Sequence, residues 1–152
     1  MNYWLMKSEP EEYSIDDLER DRVGFWDGIR NYQVRNMLRD EFKKDDLVLY
    51  YHSNAGKQTG VVGVAEVVGE AKPDPTQFNV HSRYFDSKSS KENPRWLGVD
   101  VRFKSKFSKL ISLPELKADV VLAGSPLVKK GNRLSVIKLS EKQFMHIVQN
   151  AK

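Results

Sequence analysis

Trp26-Asp27-Gly28-Ile29-Arg30-Asn31-Tyr32-Gln33-Val34-Arg35-Asn36 organises the reading of this 152-residue chain. Asp27-Gly28 is a turn signal, and Asn31 is placed to cap a helix on which Val34, Leu38 and Phe42 recur every fourth residue. Those three predict a core-facing stripe. The same stretch is dense in ring, amide and guanidinium groups. Trp26 and Tyr32, joined by Tyr51 from the later run Tyr50-Tyr51-His52-Ser53-Asn54, offer flat apolar faces. Asn31, Asn36, Ser53 and Asn54 can read a hydrogen-bonding edge, and Arg30 and Arg35 can hold a phosphate. That combination suits a stacked nucleobase. The competing reading makes the rings core residues, the arginines a solvated helix face and Asn31 a cap alone, so the argument rests on the cluster and on no single residue.

Working outward, Asn2 to Met6 reads as a first strand, stopped by Pro10, which cannot donate to a ladder. Ser14 opens a short capped helical turn with Asp16 and Asp17 at its positive end. Downstream, Leu47 to His52 is a largely buried strand, and Gly60 to Val68 is its antiparallel neighbour, with close packing or a bulge at Gly63. From Lys72 to Arg95 the periodicity disappears. A loop of that length inside a compact domain predicts a functional lid or insertion, packed on the domain through aromatic residues such as Tyr84 and Phe85. Alternation resumes from Trp96 to Phe103, with Leu97, Val99, Val101 and Phe103 on one face and Arg102, Lys104 and Lys106 on the other. Ser112-Leu113-Pro114-Glu115 is a capping-box pattern, residues 122 to 139 read as a hairpin-like unit turning at Lys129 to Asn132, and Ser140 with Gln143 caps a last helix that buries Phe144, Ile147 and Val148.

The fold class is α+β and β-rich. Valine-rich strands on so small a domain need closed or covered edges, which predicts a small barrel of about five or six strands with short helices at its ends. Length predicts one domain over residues 1–152. Without cysteine there are no disulfides or thiol nucleophiles, and His52, His81 and His146 lack ligand spacing, so neither metal nor cofactor is expected. No tract of about twenty apolar residues could cross a bilayer, and the opening residues resemble neither a secretory signal nor a transit peptide, which predicts an intracellular protein. The net charge of +4 is unevenly spread, about −5 in residues 1–76 and about +9 in residues 77–152, a bias that favours a polyanionic partner.

Several blocks together resemble the EVE domain family: Tyr3 to Pro10, Trp26 to Asn36, Tyr51-His52-Ser53-Asn54, Asn93-Pro94-Arg95-Trp96, Ser125-Pro126-Leu127 and Gly131 to Ser135. The resemblance implies a PUA-like pseudobarrel and a reader of modified bases, modified cytosine in DNA above all. Carried over by position, it implies pocket residues at Trp4, Lys7, Ser8, Glu9, Trp26, Arg30, Asn31, Tyr32, Tyr51, His52, Ser53, Asn54, Ser125 and Pro126. It also implies a protein that is cytoplasmic in a bacterium or nuclear in a eukaryote. Arg35, Lys104, Lys106, Lys109, Lys129, Lys130 and Arg133 are candidates for phosphate contacts that are blind to sequence. The expected partner is DNA or RNA carrying a modified base, bound by a monomer, with an RNA-reading module as the alternative. Catalysis is the competing class. Ser53 lacks a nucleophile elbow, however, and an acid–base pair of Glu9 with His52 requires the fold to bring the two together.

Overall fold

The computed structural model describes residues 1–151. In chain order these form β1 (Tyr3–Ser8), α1 (Ile15–Asp21), β2 (Val23–Trp26), α2 (Tyr32–Asp40), β3 (Leu47–His52), β4 (Gly60–Val67), β5 (Lys72–Pro73), β6 (Leu97–Ser112), α3 (Leu113–Ala118), β7 (Val136–Leu139) and α4 (Glu141–Asn150). One mixed sheet runs β2-β6-β4-β3-β1-β7, and β5 adds a short pairing to the start of β6. This is the PUA-like α+β architecture, with one strand more than the sequence predicts.

The pairing of β1 with β3 is parallel and sets the rest, because Trp4, Leu5 and Met6 lie opposite Val48, Leu49 and Tyr50. Successive side chains point to opposite faces of a sheet. Trp4, Met6, Val48 and Tyr50 therefore join one core cluster with Ile15 and Leu18 of α1 and Val34 and Leu38 of α2, while Leu5, Leu49 and Tyr51 join a second with Leu116 of α3 and Phe144 and Ile147 of α4. Both faces of the central strands are covered, which is why they read as continuous apolar runs. The remaining pairings of the sheet are antiparallel.

Curvature comes from the β4 register, which slips on both flanks, between Tyr50 and Tyr51 on β3 and at Val61/Gly63 and Val64/Ala65 against β6. Val62 is the extra residue at the first slip, and a Cβ on neighbouring Gly63 would collide with the Ser105 carbonyl, so Gly63 serves both a bulge and a close approach. The bent β4 lets the sixteen-residue β6 wrap around the sheet.

Three sequence expectations change. β2 was not anticipated: it is four residues long, its Gly24 accommodates the Tyr13 ring, and no alternation marks it. β6 continues nine residues beyond Phe103 because its second half is solvent-facing and polar, so pairing with β4 sustains it without an apolar period. Residues 122–139 form no hairpin. Pro126–Val128 is a 3-10 turn capped by Ser125, and β7 pairs with β1 instead. The predicted caps hold at Ser14, Asn31, Ser112 and Ser140, each side chain accepting from a backbone N–H at the start of its helix.

Candidate nucleic-acid interface

Because β1 and β3 are parallel and in register, both chains leave the sheet at the same rim. Ser8 lies opposite His52, and the Ser53 amide donates to the Ser8 carbonyl at 3.0 Å. Lys7-Ser8-Glu9 and Ser53-Asn54, over forty residues apart in sequence, thus meet at one mouth. Beneath it lies a cavity of about 770 Å³, inside the ~300–1,000 Å³ range of small-molecule sites. It is lined by Phe25, Tyr50 and Val101, by Trp26 to Ile29, by Tyr84, and by Arg133 to Ser135 just before β7.

Trp26 is partly buried and held edge-on against Tyr50, ring centroids 5.1 Å apart and planes 61° apart, while still lining the cavity. Tyr50 donates its hydroxyl to the Tyr13 carbonyl at 2.5 Å, and burial raises its pKa, so it remains a neutral structural phenol. Burial and a hydrogen bond to Asp21 push Tyr13 up to about 12. Glu9 accepts from the Asn54 amide at 2.7 Å, Ser8 donates to the Tyr13 carbonyl at 3.0 Å, and Lys7, its pKa lowered by burial, lies 5.4 Å from the Tyr51 ring centroid and forms no ion pair among the described residues. The arrangement offers ring faces inside and a hydrogen-bonding rim outside. His52 and Glu9 each have another partner: the His52 Nε2 accepts from the Ile15 amide at 3.1 Å, while Glu9 is engaged by Asn54.

The EVE domain family model matches residues 2–150. The chain belongs to the EVE domain family. It is 41% identical to thymocyte nuclear protein 1 of Rattus norvegicus, over 97% of this chain and 72% of that protein. A crystal structure of a Pseudomonas syringae protein superposes with a TM-score of 0.95 at 41% identity, covering 99% of both chains. The crystal structure of human THYN1 protein in complex with 5-methylcytosine containing DNA matches with a TM-score of 0.89 at 35% identity, covering 100% of this chain and 98% of that one.

In this EVE domain the cavity gathers Lys7, Ser8, Glu9, Trp26, Ser53 and Asn54 from the expected set. The other eight candidates lie elsewhere. Trp4 is fully buried, stacked on Phe42 at 4.2 Å with its indole N–H donated to Asp46 at 3.0 Å. Tyr51 is 3% exposed and faces the second core cluster, the consequence of standing one residue from Tyr50 on a strand. His52 braces the start of α1, and Asn31 caps α2 by accepting from the Val34 amide at 3.1 Å. Ser125 is buried as a cap, and Pro126 begins the 3-10 turn behind it. Tyr32 is 50% exposed, but outside the cavity, between Trp96 (4.7 Å) and the Arg35 guanidinium (4.8 Å).

Arg30 is wholly engaged within the protein. It pairs with buried Asp74 at 3.1 Å and donates to Thr76 at 3.0 Å and twice to the Tyr84 carbonyl at 3.0 and 2.7 Å. Tyr84, Asp27, Phe25, Tyr50, Glu12, Tyr13, Leu134 and Ser135 are cavity residues that sequence reasoning did not assign. Asp27 lies inside the Trp26–Asn36 stretch, Tyr50 begins the run that supplies Tyr51, Ser53 and Asn54, and Tyr84 lies inside the loop predicted to be a lid, so these had a signal; Phe25 had none that distinguished it from core.

The basic candidates also separate. Lys104 shares Glu66 with Arg102, Lys106 pairs with Asp16 at 2.7 Å, and Arg35 donates to Asn36 and the Arg95 carbonyl. Lys109, Lys129, Lys130 and Arg133 are exposed and form no ion pair among the described residues, and Arg133 lines the cavity itself. No helix among the described residues is long and apolar enough to cross a membrane.

Proposed function

We propose that this EVE domain binds DNA without catalysis and reads a modified cytosine by admitting the extracted base to the cavity beside Trp26. The observation carrying this reading is the cavity's construction, a partly buried indole at the foot of a rim of amide, hydroxyl and charged groups drawn from both parallel strand ends. Extraction of a base costs a few kcal/mol, and stacking at ~1–3 kcal/mol together with edge hydrogen bonds offsets it. Exposed Lys129, Lys130 and Arg133, which form no ion pair among the described residues, are the phosphate contacts nearest in sequence to the cavity wall, whereas Lys104 shares Glu66 with Arg102 and Lys106 pairs with Asp16. The relation to human THYN1, whose structure holds 5-methylcytosine containing DNA, supports the choice of ligand.

Fluorescence anisotropy with an oligonucleotide carrying one 5-methylcytosine tests the reading. Wild type prefers it to the unmodified oligonucleotide and to RNA of the same sequence. Trp26→Ala weakens binding about 5- to 150-fold while remaining folded, the range that loss of a stacked base implies. Equal affinity of a folded Trp26→Ala variant contradicts it.

A further inference from the structure

Three carboxylates line the cavity, and two are already satisfied. Glu9 accepts from Asn54, and Glu12 pairs with Arg83 and accepts from the Tyr84 hydroxyl. Asp27 forms no ion pair and no side-chain hydrogen bond with another residue among the described ones. It is nevertheless held firmly. On one side Trp26 is paired to Val99 in the sheet; on the other the Gly28 amide donates to buried Asp74 at 2.8 Å. Gly28 takes φ +78°, and a Cβ there would lie 2.7 Å from the Tyr84 ring, so the backbone at this point is fixed by close packing.

We propose, building on the base-reading function above, that Asp27 is the specificity-determining residue that accepts a hydrogen bond from the exocyclic amino group of the bound cytosine. Thymine has the size, stacking surface and methyl group of 5-methylcytosine and differs on its pairing edge: an oxygen replaces the amino group at C4, and N3 carries a proton. Cavity shape and the Trp26 face treat the two bases alike. An acceptor-only carboxylate facing C4 separates them, because it binds the amino group there and repels the thymine oxygen. Asp27 is exposed at the cavity edge; partial desolvation raises its pKa, nearby Asp74 raises it further, and Arg30 opposes both. An entering base displaces the water around this carboxylate, which has no donor from another residue among the described ones and therefore gains from the incoming N–H.

The experiment uses oligonucleotides that differ only at one position, 5-methylcytosine or thymine, placed opposite an abasic site so that extraction is equally easy for both. Wild type binds the 5-methylcytosine form about tenfold or more tightly. Asp27→Asn, whose amide both donates and accepts, and Asp27→Ala each bring the two affinities together, with thermal melting confirming the fold. A retained preference in both variants overturns the role of Asp27; if Trp26→Ala abolishes binding in the same assay, the base-reading cavity stands without it. Equal binding of the two bases by wild type also overturns the proposal, and insensitivity of that binding to Trp26→Ala removes the base-reading function as well.

Discussion

Arg30 holds the Tyr84 carbonyl through two hydrogen bonds, at 3.0 and 2.7 Å across fifty-four residues of sequence, while its Nη1 pairs with Asp74. The arginine just before α2 therefore builds the outer wall of the cavity without lining it. It turns the irregular segment after β4 into a fixed surface, with Gln77 reinforcing the attachment by donating to the Asp74 and Trp96 carbonyls.

Removing that clamp has a measurable cost. Asp74 is fully buried, and taking away its charged partner leaves a buried carboxylate held only by the Gly28 amide and by the Thr76 amide and hydroxyl, a loss of up to about 3–5 kcal/mol. Urea denaturation of Arg30→Ala is expected to give that loss, together with weaker ligand binding as Tyr84 loosens. Arg30→Lys keeps the charge but not the planar fork, and recovers only part of the stability. Full stability in Arg30→Ala means that the clamp is dispensable.

The tryptophans Trp4 and Trp26 divide by role. Trp4→Ala removes a fully buried indole stacked on Phe42 and is expected to destabilise the fold by about 3–5 kcal/mol in chemical denaturation. The conservative Trp4→Phe leaves affinity for the modified oligonucleotide at the wild-type level. A folded Trp4→Phe variant with selectively lost binding places Trp4 in the site after all.

Phosphate attraction is assigned to particular lysines by their partners. Each neutralised phosphate contributes a slope of about −0.9 to log affinity against log salt on duplex DNA. Replacing Lys129, Lys130 and Arg133 together by alanine is expected to flatten the slope by close to three units, whereas Lys104→Ala with Lys106→Ala changes it little, their ammonium groups being paired with Glu66 and Asp16. A salt titration in which the second pair matters more reverses the assignment.

His52 supplies a pH dependence unrelated to DNA. Its neutral Nε2 accepts the Ile15 amide, and burial lowers its pKa in the folded state below the ordinary value near 6.5. The unfolded chain takes up the proton first as pH falls, so this contribution to stability is complete above about pH 6.5 and declines as pH drops toward the folded pKa. Thermal melts of wild type and His52→Gln between pH 7.5 and 5 should converge on acidification. A gap that widens shows that the imidazole is not the neutral acceptor.

Features with their own local chemistry were legible in the sequence. The caps at Ser14, Asn31 and Ser140 and the stripe Val34, Leu38, Phe42 depend on neighbours within a few residues, and they lie where expected. The choice between Tyr50 and Tyr51 was hidden, because β3 is apolar on both faces and alternation cannot say which side becomes a cavity. Arg30 looked like a ligand-binding guanidinium because its partners Asp74 and Tyr84 arrive from a segment without periodicity. Composition likewise cannot tell Lys104, paired across strands with Glu66, from Lys130, which has no ion pair among the described residues.

The most direct test of the account is the structure of this domain bound to an oligonucleotide with a single 5-methylcytosine. The methylated base is expected inside the cavity, its ring about 3.5–4.0 Å from the Trp26 indole and its amino group turned to Asp27. A base left in its stack, or one lodged outside on Tyr32 with the cavity empty, contradicts it.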